Sequence, residues 1–324
     1  MTAEGDVTFY VPGLCAVEGW PLAPPVGIGR FLAAARRAPW VGADGYAARA
    51  LTIFGLPEDA GLAALARLGE GLPRDGRWWV RCDPVHLAVD GDRLLVLDNE
   101  TLALDGALAQ ALAERVAGVF AAEGGALSCA APSRWYLTLP HPEPLQTTSL
   151  ADVAGRNAGD YLPRGNTRYW RSRFNEAQMV LHQALAAAGG EAERNEANSV
   201  WLWGAGYAPP PQAGPFTCVY SDDVLLCGMA AATGARAAPL PAGPTGLCER
   251  SALVVLRGAQ GPVQYGDTEA WSEFLEALMD VWLRPLAREL WRGARGQLRV
   301  LGERGPVFTL RRRDLWRIWR AARS

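Results

Sequence analysis

Short apolar runs broken by Gly- and Pro-rich stretches set the rhythm of this chain, and in its second half they alternate with segments of helical spacing. Residues 7–11 predict a strand closed by Pro12 and Gly13. Residues 31–37 predict part of a helix, 51–54 a second strand, and 62–68 a helix ending near Gly69. Strands are predicted at 78–80, 94–97 and 136–139. Between the last two, Leu108, Leu112, Val116 and Val119 recur at spacings of four, four and three, the stripe of a helix over 107–122. A looser polar segment, 141–165, follows.

Phe174, Ala177, Leu181 and Ala184 predict one face of a helix over 171–188, ended by Gly189 and Gly190. Residues 198–206, NSVWLWGAG, predict a buried strand running into a tight turn, where glycine lets a backbone or ligand approach closely. Trp201 and Trp203, two apart, share a face. A Pro-rich loop spans 207–215. A strand at 217–220, a helix at 224–233 and a fully apolar strand at 252–256 come next. Thr268 is expected to cap a long helix carrying Trp271, Leu275, Leu278 and Trp282, which Pro285 is expected to kink or interrupt. Strands at 297–301 and 307–310 precede an Arg-rich helix. Such alternation implies an α/β fold, a mostly parallel sheet with helices on both faces.

Composition narrows the function classes. The 324 residues carry a net charge of −2, against a dedicated nucleic-acid binder. Every basic side chain apart from three His is Arg, since the chain has no Lys. The start lacks a basic region followed by an apolar run, and no stretch is apolar enough to span a bilayer, so a cytoplasmic protein without membrane partner is expected. Six scattered cysteines, Cys15, Cys82, Cys129, Cys218, Cys227 and Cys248, form no C-x-x-C pair and are expected as reduced thiols.

Three segments in order carry a resemblance. Residues 79–98 (WVRCDPVHLAVDGDRLLVLD), 198–206 and 219–236 (VYSDDVLLCGMAAATGAR) resemble archaeal-type, cofactor-independent phosphoglycerate mutases of the alkaline phosphatase superfamily. The pattern Asp83, Pro84, Val85, His86 and the stretch 160–182 (DYLPRGNTRYWRSRFNEAQMVLH) are similar to a bacterial subgroup labelled regulatory protein of the RpfE type. The resemblance implies an alkaline-phosphatase-like core of residues 1–75 and 151–324, interrupted by a small inserted α+β domain, 76–150, of the substrate-covering type.

In active mutases of that kind, two divalent metals activate a Ser or Thr nucleophile, which needs clustered Asp and His ligands. The first ligand and the nucleophile are expected after the first strand. Here that strand meets Pro12, Gly13, Leu14 and Cys15, with no Asp-Gly pair and no Ser or Thr. The three histidines, His86, His141 and His182, leave the last 142 residues without one, and Asp267, after the strand at 252–256, has no His nearby. A Cys15 thiolate would need a nearby cation or helix N-terminus, and nothing local supplies either. No metal site and no cofactor are therefore expected.

Candidate ligand-binding residues remain. Arg81 and Asp83 share a strand face, and Pro84 is expected to break the pattern and redirect His86. By resemblance, arginines of this region bind substrate phosphate or carboxylate, which suits Arg's planar fork. The alternative is an internal Arg81–Asp83 ion pair with His86 as a structural histidine. In the basic segment Arg164, Asn166, Arg168, Arg171, Arg173, a solvated face is the simpler reading, with Arg164 and Asn175 chosen for function. Asn198 is expected to bridge loops or touch a ligand; Trp203, Gly204 and Gly206 to shape a cleft wall. Of Asp222 and Asp223, one is expected to cap a helix and Asp222 is retained as a site candidate. The six arginines of 311–323 surround an apolar face at 315, 318, 319 and 322, expected to dock on the core. The expected function is a phosphoglycerate-mutase-like regulatory protein that binds a small phosphorylated or carboxylate ligand or a protein partner. The alternative is an active mutase or phosphatase with unrecognised ligands.

Overall fold

The computed structural model describes residues 5–15, 23–98, 102, 104–188, 197–247 and 251–316. In chain order its strands are β1 (Gly5–Tyr10), β2 (Arg36–Ala38), β3 (Trp79–Asp90), β4 (Arg93–Leu97), β5 (Ala126–Ala131), β6 (Arg134–Thr138), β7 (Leu145–Gln146), β8 (Arg164–Gly165), β9 (Ser199–Gly206), β10 (Cys218–Tyr220), β11 (Arg236–Ala238), β12 (Ala252–Val255), β13 (Arg295–Leu301) and β14 (Val307–Arg311). Two units divide the chain: Met1–Glu58 with Pro211–Ser324, and Asp59–Pro210.

The first unit is built on a seven-stranded sheet in the order β11-β10-β12-β1-β13-β14-β2. From β11 to β13 every pairing is parallel; β14 pairs antiparallel with β13 and β2. The fold class is thus α/β with a mostly parallel central sheet. Alternation along β1 sends Val7 and Phe9 into one core with Val254 of β12, Val300 of β13, Trp271, Leu275 and Trp282. Tyr10 points the other way, stacking on Tyr46 of the helix Tyr46–Phe54 and donating its hydroxyl to the Tyr46 carbonyl at 2.7 Å. Residues 51–54, expected as a strand, belong to that helix. Its buried Tyr46, Ala47, Ala50, Leu51 and Phe54 recur at three- and four-residue intervals, which a four-residue apolar window conceals. The helix Thr268–Ala277 is capped by Asp267, whose carboxylate accepts from the Ala270 N–H at 3.0 Å, rather than by Thr268. Pro285 interrupts it as expected: residues 278–283 widen into a π-helical turn before the helix Arg284–Arg292 resumes. The terminal Arg-rich helix lies outside the described residues beyond 316, as does Cys248.

The second unit is antiparallel. β4, β3, β6 and β5 form a sheet in that order, and β9 adds to β3. The strand of the two tryptophans therefore belongs here, not to the parallel sheet. Trp203 stands opposite Arg81, Trp201 opposite Asp83 and Val200 opposite Pro84. β3 runs straight through Pro84, so the expected break does not occur. β6 pairs only with residues 79–81, which leaves Pro84 a partner strand on one side alone, where a missing N–H is tolerated. The helices Gly106–Val119 and Thr167–Ala188 cover this sheet, with Leu112, Val116, Trp170 and Leu181 in one buried cluster with Val80, Trp135 and Leu202. The unit takes in residues 59–75 and 151–210, beyond the expected 76–150. The physical ties are the β3–β9 ladder and the packing of the helix Leu62–Gly69 and Thr167–Ala188 on β9.

Candidate functional site

In an open parallel sheet ligands sit beyond the carboxyl ends of the strands. In the first unit those ends are occupied by residues 11–15 after β1, 221–223 after β10, 256–260 after β12 and 302–305 after β13. The loop after β1 is held from both sides: the Gly13 N–H donates to Glu303 Oε2 at 2.6 Å, and the Trp271 indole N–H donates to the Gly13 carbonyl at 2.8 Å. Burial, and then the charge of Glu303, push the Cys15 thiol above its ordinary value, so it rests protonated at neutral pH. A protonated thiol is a poor nucleophile.

Asp223 caps the helix Val224–Ala232, accepting from Leu225 and Leu226 N–H at 2.7 and 3.3 Å. Its other oxygen accepts the Tyr46 hydroxyl at 2.7 Å and faces Arg257 at 3.4 Å. Arg257 donates through Nε to Gln260 at 3.1 Å. Burial, then the nearby Asp223 charge, hold the Tyr46 phenol well above its ordinary value, which keeps it a hydroxyl donor. Arg49, fully buried, holds the Gly302 and Gly305 carbonyls and Asp44. Asp222, the sequence candidate, is exposed beside this cluster. Tyr46, Arg257 and Gln260 were not legible as a group, because they come from three distant segments with no motif among them.

That set can be tested against the metal pair the resemblance implies. All three histidines fall in Asp59–Pro210, so the unit holding the parallel sheet contains none. Asp223 is committed to a helix end, a phenol and a guanidinium, and Glu303 to a backbone N–H. Among the described residues no three His, Cys, Asp or Glu side chains converge as a cation site requires.

In the second unit the structure brings Arg81, Asp83 and Trp203 together. Arg81 Nε and Nη2 reach Asp83 at 2.9 and 2.8 Å. The Trp203 indole N–H donates to Asp83 at 2.8 Å and the Trp135 backbone N–H at 3.0 Å. The last bond diverts Trp135 from the β3 ladder, and β6 pairing accordingly stops at Arg81. Asp83 is 0% and Arg81 4% exposed. The guanidinium is roofed by the rings of Tyr136 and Trp203, at 4.9 and 5.0 Å from their centroids. Burial pushes the Asp83 carboxyl above its ordinary value, against the pull of Arg81, Trp203 and Trp135. The arrangement is an internal ion pair with its hydrogen bonds satisfied.

The remaining candidates are dispersed. His86 is half-buried opposite Leu97 of β4. Asn198 bridges backbone: its amide accepts from Leu87 N–H at 2.8 Å and donates to Leu87 C=O at 3.1 Å, pinning the approach to β9 onto β3. Gly204 (φ +67°) and Gly206 (φ +144°) allow close approach to the segment leading into Leu62–Gly69; a Cβ on Gly204 would lie 2.8 Å from Leu62 Cβ, and one on Gly206 2.9 Å from Gly61 Cα. They shape a packing contact within this unit. Arg164 is exposed on β8. Asn166 accepts from the Tyr169 N–H at the start of the following helix, and Arg173 pairs with Glu123 and Glu176. Asn175 and Arg171 line a cavity of about 640 Å³. The five described cysteines form no disulfide, and among the described residues no helix is long and apolar enough to cross a membrane.

No protein-family model matches the chain. The 2,3-bisphosphoglycerate-independent phosphoglycerate mutases of Methanosarcina acetivorans and Methanosarcina mazei are 40% identical over 67 residues and 38% over 66. Each match covers 20% of this chain and 17% of the enzyme, so the chain matches under a fifth of the length of those relatives. Among solved structures, the PH0037 protein from Pyrococcus horikoshii aligns with a TM-score of 0.52 at 13% identity, covering 95% of this chain and 87% of that one. The cofactor-independent phosphoglycerate mutase from Thermoplasma acidophilum aligns with a TM-score of 0.43 at 14% identity, covering 95% and 90%. The chain thus has partial homology to archaeal phosphoglycerate mutases and shares its fold with the Pyrococcus protein.

Proposed function

We propose that this chain is a phosphoglycerate-mutase-like protein of regulatory role, of the RpfE type, that does not transfer phosphoryl groups through a metal pair and instead binds a small anionic ligand. The observation that carries the reading is the donor set at the carboxyl edge of the parallel sheet. Two cations there would need several anionic or imidazole ligands. The unit offers no histidine, its carboxylates Asp223 and Glu303 are already engaged, and Asp222 is exposed beside them. What stands in their place is a hydroxyl, an amide and a guanidinium, from Tyr46, Gln260 and Arg257. Of these the guanidinium cannot ligate a cation and suits an anion, and a neutral phenol and an amide are weak partners for a pair of divalent ions. Nor does Cys15 supply a substitute nucleophile, since burial keeps its thiol protonated.

The partial homology to the Methanosarcina enzymes favours a second reading, an active mutase with ligands drawn from unexpected positions. Turnover separates the two. Purified protein incubated with 3-phosphoglycerate and Mn²⁺, Mg²⁺ or Zn²⁺ is expected to yield no 2-phosphoglycerate above the protein-free control. Metal-dependent turnover that chelation abolishes would establish the second reading and remove the first.

A further inference from the structure

The 640 Å³ cavity in the second unit falls in the size range of small-molecule sites. Its floor is apolar and already ordered: Trp170 is fully buried and Phe174 nearly so. Trp170 is fixed by its indole N–H on the Pro144 carbonyl at 3.1 Å. On the helix Thr167–Ala188, Arg171 and Asn175 are one i,i+4 pair and Phe174 and Gln178 another, so a single helix face presents ring, amides and guanidinium together. Arg93, at the start of β4, supplies a second guanidinium to the lining. Among the described residues neither Arg93 nor Arg171 has an ion-pair or hydrogen-bond partner, whereas Arg173 on the same helix has two carboxylates. The one carboxylate of the lining is Asp92; Asn157 is engaged by Leu94 N–H and Asp160. Two arginines against one aspartate leave the lining a net charge of about +1.

We propose that this cavity binds an amphipathic monoanion, an organic carboxylate with an aromatic or aliphatic body. The carboxylate meets the forks of Arg93 and Arg171, which match its geometry. The body lies against Trp170 and Phe174, and the amides of Asn175 and Gln178 orient the polar end. A single net positive charge matches a monoanion and leaves a phosphate dianion partly uncompensated. This goes beyond the proposed function, whose donor set belongs to the first unit, and fails separately from it. Metal-dependent turnover of 3-phosphoglycerate would sink that reading whatever this cavity binds.

The test is calorimetric titration of the full chain with 2-naphthoate, 2-naphthamide and 2-naphthyl phosphate. The carboxylate is expected to bind saturably, and at least about tenfold more tightly than the neutral amide. The phosphate is expected to bind no more tightly than the carboxylate. Arg93→Ala and Arg171→Ala, both at exposed positions, should each weaken naphthoate by about tenfold or more with an unchanged melting temperature. No saturable binding of naphthoate to the unmodified protein up to about 1 mM, equal affinity for amide and carboxylate, tighter binding of the phosphate, or full affinity in both arginine variants would each overturn the proposal. The comparison of the three probes on the unmodified protein decides the matter even if a variant fails to fold.

Discussion

Removing the carboxylate of Asp83 tests the reading of the Arg81–Asp83 pair as internal framework. In Asp83→Ala four hydrogen bonds vanish: two from Arg81, at 2.9 and 2.8 Å, one from the Trp203 indole at 2.8 Å and one from the Trp135 N–H at 3.0 Å. Arg81, only 4% exposed, is left as a charge without its counter-ion. Breaking one side of a buried pair costs about 3–5 kcal/mol, and because both side chains are sealed from solvent no discount for screening applies. At about 2–4 °C per kcal/mol the melting temperature should fall by roughly 6–20 °C. Guanidinium denaturation followed by far-ultraviolet circular dichroism should show the midpoint falling at constant slope. The double variant Arg81→Leu with Asp83→Leu removes both charges together and should lose less than the sum of the two single leucine variants, a coupling of at least about 1 kcal/mol. A loss below about 1 kcal/mol in Asp83→Ala, or additive single variants, would refute the argument and return Arg81 to the list of ligand contacts.

Two further outcomes follow from the same unit. Gly204→Ala places a side chain in the left-handed region with its Cβ 2.8 Å from Leu62 Cβ, and should cost about 2–4 kcal/mol in a denaturation titration; a loss under about 0.5 kcal/mol would show that the turn relaxes freely. Burial works to raise the Asp75 carboxyl, but hydrogen bonds from the Trp79 indole and the Arg77 N–H, with Arg67 nearby, outweigh it and hold the group below its ordinary value. A carboxylate depressed in the folded state contributes stability that is present above about pH 4 and is lost as pH falls through the folded value. Asp75→Asn should flatten the acid limb of the stability–pH curve, and an acid limb identical to the parent would contradict the assignment.

Regular periodicity was the part of the fold most open to reading. The stripe Leu108, Leu112, Val116, Val119 is a helix over Gly106–Val119, and the apolar run at 252–256 contains β12, an interior strand of the parallel sheet. Failures came where pairing partners are distant. Nothing in NSVWLWGAG says that its neighbour is residues 79–85, between 114 and 127 residues earlier, so the alternation assigns β9 to the wrong sheet. The two glycines that suggested a ligand turn serve a packing contact with the segment around Leu62. Arg81 and Asp83 were recognisable as a pair because i,i+2 on a strand fixes a shared face, but their burial depended on Tyr136 and Trp203 from other strands. Tyr46, Asp223, Arg257 and Gln260 meet only through the order of parallel strands, which periodicity does not encode. The basic segment split by geometry rather than composition: Arg173 found carboxylates, while Arg171 faces a cavity.

The proposed function rests on the donors at the carboxyl edge of the parallel sheet, where a metal pair would need carboxylates and imidazoles. Equilibrium dialysis of the purified chain against Mn²⁺ and Zn²⁺, with bound metal counted by mass spectrometry, tests it most directly. Well below one tightly held ion per chain is expected, unchanged in Asp223→Asn. Two ions per chain, lost together on substituting Asp223 or Glu303, would contradict it.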